Sequence, residues 1–219
     1  MSNETIARDL GWLRLSGGPR DLGLALGQAG RAAVARHLPA HPLWQMVNAP
    51  AHAARVARMA GATRARFPWI WAEIEGLAEG LGLPVGQVFA WNCRGDLLAS
   101  VPDGCTTVML PGPEPVLAHN EDGLPFFRGA CFIAEAQPQG QPGFHAFCYP
   151  GSIPGHTFAF TAAGLVQTVN NLRLTGVEAG IPRMVLGRAL LTADTLDAAL
   201  DLLRDAPSGG FHFALMQRG

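Results

Sequence analysis

The chain has 219 residues, of which 48% are hydrophobic and 15% are charged, and its formal net charge is −1. This length suits a single domain with an ample core, so we take residues 1–219 as one domain. The near-neutral charge argues against a nucleic-acid partner, and the lack of any run of about 18 apolar residues argues against a membrane span.

The first half of the chain is predicted to be mainly helical. Leu22, Leu26, Ala29 and Ala33 recur at helical spacing. Gly82 and Pro84 are typical of the end of a helix. The predicted helices cover residues 22–33, 51–66, 70–81 and 85–99.

The second half is predicted to alternate between short strands and turns rich in glycine and proline. The predicted strands cover residues 105–110, 116–118, 130–136, 144–149, 157–160, 165–170 and 211–216. Two further helices are predicted over residues 181–191 and 194–204. Strands joined by hairpins, with helices before and after them, indicate an α+β fold with an antiparallel sheet.

The four cysteines do not form a CxxC pair, so neither a zinc knuckle nor a thioredoxin-type redox motif is predicted. Residues 1–10 carry several charges and do not resemble a signal peptide, which predicts a cytoplasmic protein with reduced thiols. Cys93, Cys131 and Cys148 fall within predicted helix or strand and are interpreted as core residues. Cys105 has a different setting.

Cys105 follows a glycine in a predicted turn and opens a predicted strand. Because Gly104 has no Cβ, its backbone can bring the preceding carbonyl close to the thiol. Cleavage of the Gly104–Cys105 bond would give Cys105 a free α-amine, which can take the proton of its own thiol. A buried strand cysteine is the simpler interpretation of this motif alone.

Polar residues that can act with a thiol follow on later strands. Asp122 can hold an ammonium group, and His119 can form either a Cys–His dyad or a structural hydrogen bond. Asn170 and Asn171 end a predicted strand, where an amide can serve as an oxyanion donor or simply make a turn. Arg94 can brace the nucleophile loop or contact a substrate carboxylate, with the structural role favoured.

The order of these motifs resembles the isopenicillin N acyltransferase family of N-terminal-nucleophile hydrolases. The resemblance extends over almost the whole chain. It is carried by residues 15–19, 75–80 with 91–94, 103–107, 118–122, 169–172 and 181–191.

The resemblance implies a proenzyme that cuts itself between Gly104 and Cys105, leaving a small chain of residues 1–104 and a larger chain that starts at Cys105. It also implies a four-layer αββα sandwich with antiparallel sheets. The chemistry would be acyl transfer from a small amide or acyl thioester through a thioester on the cysteine, without a metal or other cofactor.

The same resemblance assigns roles to individual residues. Cys105 would be the nucleophile and, through its new amine, the base. Asn170 would be the oxyanion donor, with Asn171 as the alternative register, and Asp122 would be the acidic residue near the nucleophile. The supporting residues would be Thr106, Asn120 and His119.

The family continues beyond the position of Gly219, with further strands and a functional arginine. Relative to the family, the chain is therefore expected to be truncated, with an unpaired sheet edge that favours homo-oligomers. This leaves two alternatives open: an inactive homologue that only binds a ligand or partner, and an unprocessed hydrolase that uses Cys105 and His119.

Overall fold

A computed structural model of the chain describes residues 10–98, 104–172, 180–204, 206 and 209–217. The helices in these ranges are α1 (Pro19–His37), α2 (Pro42–Val47), α3 (Ala53–Arg66), α4 (Pro68–Leu81), α5 (Val85–Asn92), α6 (Arg94–Leu97), α7 (Arg183–Leu190) and α8 (Leu196–Arg204). The strands are β1 (Gly11–Gly17), β2 (Cys105–Leu110), β3 (Val116–Glu121), β4 (Phe132–Pro138), β5 (Phe144–Cys148), β6 (Phe158–Thr161), β7 (Leu165–Asn171) and β8 (Phe211–Gln217). Single 3₁₀ turns lie at Pro50–His52 and Pro125–Phe127.

The strands form two sheets, which confirms the α+β class. One is a six-stranded sheet in the order β1-β4-β5-β6-β7-β8, and the other is the β2–β3 hairpin. The prediction of a purely antiparallel sheet is wrong at one edge, because β1 runs parallel to β4. The helices that lie between these two strands in the sequence make the parallel orientation possible. The four-layer sandwich remains an implication of the family.

One face of the large sheet is buried beneath the helices. Alternate residues of the central strands, among them Ala134, Ala146, Cys148 and Ala159, are at most 2% exposed. Residues from α1, α4, α5 and α7 complete the same apolar core. The helices therefore cover one side of the sheet, and the opposite side is left for the β2–β3 hairpin.

Helices α1 and α4 lie against each other at glycines, which allow the two backbones to approach closely. A Cβ added at Gly23 would overlap the carbonyl oxygen of Glu73, and one added at Gly76 would overlap the carbonyl oxygen of Arg20. The same holds for Gly27 and Gly80 on the next turns. Because backbone atoms cannot swing away as side chains do, the helices could accept a methyl group here only by moving apart.

We expect Gly76→Ala to destabilise the fold by about 2 kcal/mol or more, since overpacking against backbone exceeds the gain in helix propensity. Gly61→Ala is the matched control, because Gly61 lies in α3 with nothing within 4 Å of an added Cβ. That control should be stabilising by roughly 0.5–1 kcal/mol. Urea unfolding of both variants measures the difference. Similar effects at the two positions would contradict the close packing of α1 on α4.

The structure departs from the predicted elements in several places. The helix predicted over 85–99 is broken at Cys93, and its last residue lies outside the described residues. Strand β1 and the short helix α2 were not predicted, although β1 coincides with the opening segment that resembles the family. Strand β4 begins at Phe132, two residues later than expected.

The β2–β3 hairpin packs across β7 through polar side chains. Thr107 Oγ1 lies 3.1 Å from Thr168 Oγ1 and donates to Asn170 Oδ1 at 2.6 Å. These contacts fix the start of β2, where Cys105 lies, against the end of β7. Of the helices within the described ranges, none is both long and apolar enough to cross a membrane.

Candidate active site

The register of the β2–β3 hairpin brings Cys105 together with two polar residues of β3. Cys105 is opposite Glu121, and Thr107 is opposite His119. Because side chains alternate along a strand, these four residues share one face of the hairpin. Cys105 is partly exposed, and its side chain lines a pocket between the hairpin, β7 and α7.

Glu121 is the centre of the hydrogen bonds around the thiol. Its Oε2 accepts from Cys105 Sγ at 3.3 Å and lies 3.0 Å from His119 Nε2. Its Oε1 accepts from the Tyr149 hydroxyl at 3.0 Å. Burial and the Glu121 charge raise the pKa of Tyr149, so the phenol stays protonated and remains a donor. Neither Glu121 nor Tyr149 was predicted to act at the site; the signal for Glu121 was its position two residues after His119 on the same strand.

His119 reaches the thiol region from a buried position. Its Nδ1 lies 2.9 Å from Thr107 Oγ1, so both ring nitrogens have partners, and its side chain is 3% exposed. The ligand atoms of Cys105, His119 and Glu121 lie within 4.8 Å of one another. Thiolate, imidazole and carboxylate are all ligands that Zn²⁺ accepts, so these three residues can hold a metal ion.

Asp122 and Gly104 meet at the proposed cleavage position. The backbone N–H of Asp122 donates to the carbonyl oxygen of Gly104 at 3.0 Å. The Asp122 carboxylate accepts from Asn120 Nδ2 at 3.0 Å and faces the pocket. Asn120 pairs with Thr106 in the hairpin. Both side chains are exposed, and both lie on the face of the hairpin opposite Cys105.

Asn170 and Asn171 project to opposite sides at the end of β7. Asn170 Nδ2 donates to the carbonyl oxygen of Cys105 at 2.9 Å. Asn171 lines the pocket together with Cys105. Of the predicted site residues, the structure therefore places Asn170 and His119 close to Cys105 and joins Asp122 to Gly104, and Asn171 lines the same pocket as Cys105 and Asp122.

The inner wall of the pocket is basic and was largely missed by sequence reasoning. Arg94, His156 and Arg183 line it and are 7%, 4% and 6% exposed. Arg94 Nη1 donates to the carbonyl oxygen of Trp91 at 3.1 Å and to Ser152 Oγ at 3.3 Å. Arg94 thus has structural contacts and also faces the pocket, so both roles considered for it are compatible with its position.

Asp96, two residues after Arg94 in α6, is buried with its carboxyl group beside the main chain of Arg183. It accepts from the backbone N–H of Arg183 at 3.2 Å. Burial raises the pKa of Asp96 to about 6, although the charges of Arg183 and Arg55 act in the opposite direction. The charge of Asp96, together with burial, raises the pKa of the Cys93 thiol.

This shift predicts a pH-dependent stability. The folded state binds the Asp96 proton more tightly than the unfolded state. The contribution of Asp96 to the free energy of unfolding is therefore greatest below pH 4, and it is lost as the pH rises through about 6. Over this pH range the wild-type chain should lose about 3 kcal/mol of unfolding free energy that the Asp96→Asn variant keeps, because asparagine cannot ionise. Free energies of unfolding of both chains from pH 4 to 7 test this, and parallel curves would contradict it.

Comparison with known proteins adds an independent line of support. A sequence model of the family described as acyl-coenzyme A:6-aminopenicillanic acid acyl-transferase matches residues 110–218, about half of the chain. The match includes Asp122 and Asn170 and begins five residues after Cys105.

Among curated proteins, the beta-alanyl-dopamine/carcinine hydrolase of Drosophila melanogaster is 28% identical over 170 residues, which cover 68% of this chain and 44% of that protein. The chain thus spans less than half the length of this relative. The family match and the relative agree with the order of motifs in the sequence and imply a fold of the N-terminal-nucleophile hydrolase type. The chain belongs to the acyl-coenzyme A:6-aminopenicillanic acid acyl-transferase family.

Proposed function

We propose that the protein is a self-processing cysteine amidohydrolase or acyltransferase that acts on a small amide or acyl thioester. The observation that carries this proposal is the setting of Cys105. Its thiol opens into a pocket and donates to a carboxylate at 3.3 Å, and the carbonyl oxygen that precedes it accepts a backbone N–H at 3.0 Å.

The first step is cleavage of the chain itself. Glu121 accepts the thiol proton, and Cys105 Sγ attacks the carbonyl carbon of Gly104. The N–H of Asp122 stabilises the charge that forms on the Gly104 oxygen. The bond from Gly104 to the Cys105 nitrogen breaks as that nitrogen takes the proton back from Glu121, which leaves a thioester on Sγ and a free α-amine. Water then releases residues 1–104 from the larger chain that begins at Cys105.

The second step is turnover of the substrate by the new N-terminus. The α-amine takes the thiol proton, and the thiolate attacks the substrate carbonyl. The bond from the acyl carbon to the leaving group breaks, the leaving group takes the proton from the α-ammonium, and an acyl thioester remains on Sγ. Water then hydrolyses this thioester and restores the thiol. Asp122 holds the ammonium group, and its own orientation is supported by Asn120. Asn170 is proposed as the oxyanion donor, because its Nδ2 lies within hydrogen-bond distance of the Cys105 main chain.

Hydrolysis is favoured over transfer to an amine. The Drosophila relative is named as a hydrolase of beta-alanyl-dopamine and carcinine, which supports water as the acyl acceptor. None of these steps requires a metal or redox cofactor.

The experiment that tests the proposal is the intact mass of the purified chain under denaturing conditions, followed by a panel of small amides. Two species, one ending at Gly104 and one beginning at Cys105, are expected, together with release of amine from at least one amide. A single uncut chain without turnover would contradict the proposal. It would favour the alternative, a homologue that keeps the fold and only binds a ligand.

A further inference from the structure

Arg183, on the inner wall of the pocket, is a buried cation whose guanidinium forms no ion pair with a carboxylate of the described residues, although its charge interacts with Asp96. It lies over the Phe211 ring at 4.2 Å, and its Nε is buried without a hydrogen-bond partner. Within the described ranges, no carboxylate oxygen lies within 4.0 Å of its guanidinium nitrogens. Asp96 bonds instead to the Arg183 main chain.

Arg188, one helical turn further along α7, shows how a buried arginine is normally held. Its Nε donates to both oxygens of Glu73, at 2.9 and 3.1 Å. Removing an arginine from water costs several kcal/mol unless a counter-charge and hydrogen bonds replace the solvent. Arg183 is also buried, but among the described residues it has no such carboxylate partner, and its side chain lines the pocket.

His156 is a second buried group with an unused polar atom at the same wall. Its Nδ1 lies 2.7 Å from the carbonyl oxygen of Ile153, whereas its Nε2 is buried without a partner. Burial and the charges of Arg94 and Arg183 lower the pKa of His156, so the ring is neutral. With its proton on Nδ1, Nε2 can accept a hydrogen bond from a ligand N–H.

The two ends of the pocket therefore differ in charge. Glu121 and Asp122 lie at the Cys105 end, whereas Arg94 and Arg183 lie on the inner wall with His156. Leu124 and Phe127 supply apolar surface in the same pocket. A negative group is disfavoured beside the two carboxylates and is stabilised beside the two guanidiniums.

We propose that Arg183 and Arg94 bind a carboxylate of the substrate, so that the preferred substrates are amides of the N-acyl amino acid type. The attacked carbonyl then lies at Cys105, and the carboxylate of the leaving amino acid lies at the inner wall. His156 Nε2 accepts from the substrate amide N–H. The inference rests on the proposed function, because it names the substrate class for the same pocket.

Binding is tested first, with probes that contain no amide bond and therefore need no turnover. The probes are 3-phenylpropionate and its neutral counterpart 3-phenylpropanol, titrated into the wild-type chain near pH 7.5 by calorimetry. The carboxylate is expected to bind about tenfold or more tightly than the alcohol. Arg183→Gln should remove this preference, and Arg183→Lys should keep part of it. Arg64→Gln is the control for charge, since Arg64 is exposed on α3 and lies over Trp71, outside this pocket.

Equal affinity for the two probes, no measurable binding of the carboxylate, or a preference unchanged in Arg183→Gln would each overturn the inference. Far-ultraviolet circular dichroism establishes that the variants fold, and Arg183→Lys provides a second test if Arg183→Gln does not. Turnover is then compared between an N-acyl amino acid and its C-terminal carboxamide, where kcat/KM should favour the acid. Carboxylate binding without turnover of any amide would contradict the proposed function alone. Turnover without preference for the acid would contradict the inference alone.

Discussion

Cys105→Ala is expected to abolish both self-cleavage and amide turnover. The substitution removes the nucleophile of both steps and leaves no other thiol at the pocket, since none of the remaining cysteines lines it. Losing the group that forms the covalent intermediate should lower kcat by about 10³-fold or more. Intact mass should show a single chain of 219 residues, and amine release should fall to the background rate.

Cys131→Ala is the matched control for this change. Cys131 is also partly exposed, but its Sγ donates to the carbonyl oxygen of Phe127. Burial and the charge of Glu121 raise the pKa of Cys131 to about 12, so it is a protonated, unreactive thiol. Its removal should leave cleavage and turnover unchanged. Full amidase activity in Cys105→Ala would contradict every enzymatic interpretation of the chain.

His119→Ala separates the proposed mechanism from an unprocessed Cys–His hydrolase. In the structure His119 Nε2 contacts Glu121, which itself accepts from the thiol. If His119 acts by positioning Glu121, the loss should be modest, about tenfold, and cleavage should still occur. A loss as severe as that of Cys105→Ala, in a chain that is never cut, would favour the Cys–His hydrolase.

The fold was predictable where its signals are local. The helix that ends at Gly82 has a left-handed glycine at its end, with φ of 72°, as the Gly-Leu-Pro pattern indicates. The hairpin of β2 and β3 follows from two β-branched or apolar runs around a Pro-Gly-Pro turn. Strand β1 was not predicted because its partner β4 lies more than 100 residues away, and no local pattern specifies a parallel pair.

The residues of the candidate site also fall into a group that the sequence predicted and a group that it did not. Cys105, Asp122 and Asn170 were proposed from the order of the motifs, and the hairpin register and the contact with β7 place all three at one end of the hairpin. Tyr149 and Arg183 were missed because their roles depend on tertiary placement. A tyrosine after a strand and an arginine at the start of a helix have many ordinary explanations in a sequence. Only the folded chain places them against the same pocket.

Glu73→Gln is expected to have the largest effect on stability, because it leaves Arg188 as a buried cation without its counter-charge. Both side chains are 1% exposed, and Arg188 also lies between the rings of Trp69 and Phe144. Breaking a buried pair by removing one partner costs about 3–5 kcal/mol, since the remaining charge keeps its desolvation penalty. Urea unfolding monitored by tryptophan fluorescence measures the loss.

Two controls separate this effect from the mere removal of a charge. Arg14→Gln breaks the ion pair with Glu135 on the sheet surface, where Arg14 is 81% exposed, and it should change the free energy of unfolding by less than about 1 kcal/mol. Replacing both partners, with Glu73→Gln and Arg188→Met, removes the uncompensated cation and should recover most of the loss. If the double variant were no more stable than Glu73→Gln, the damage would lie in packing between α4 and α7, and the buried charge would not be its cause.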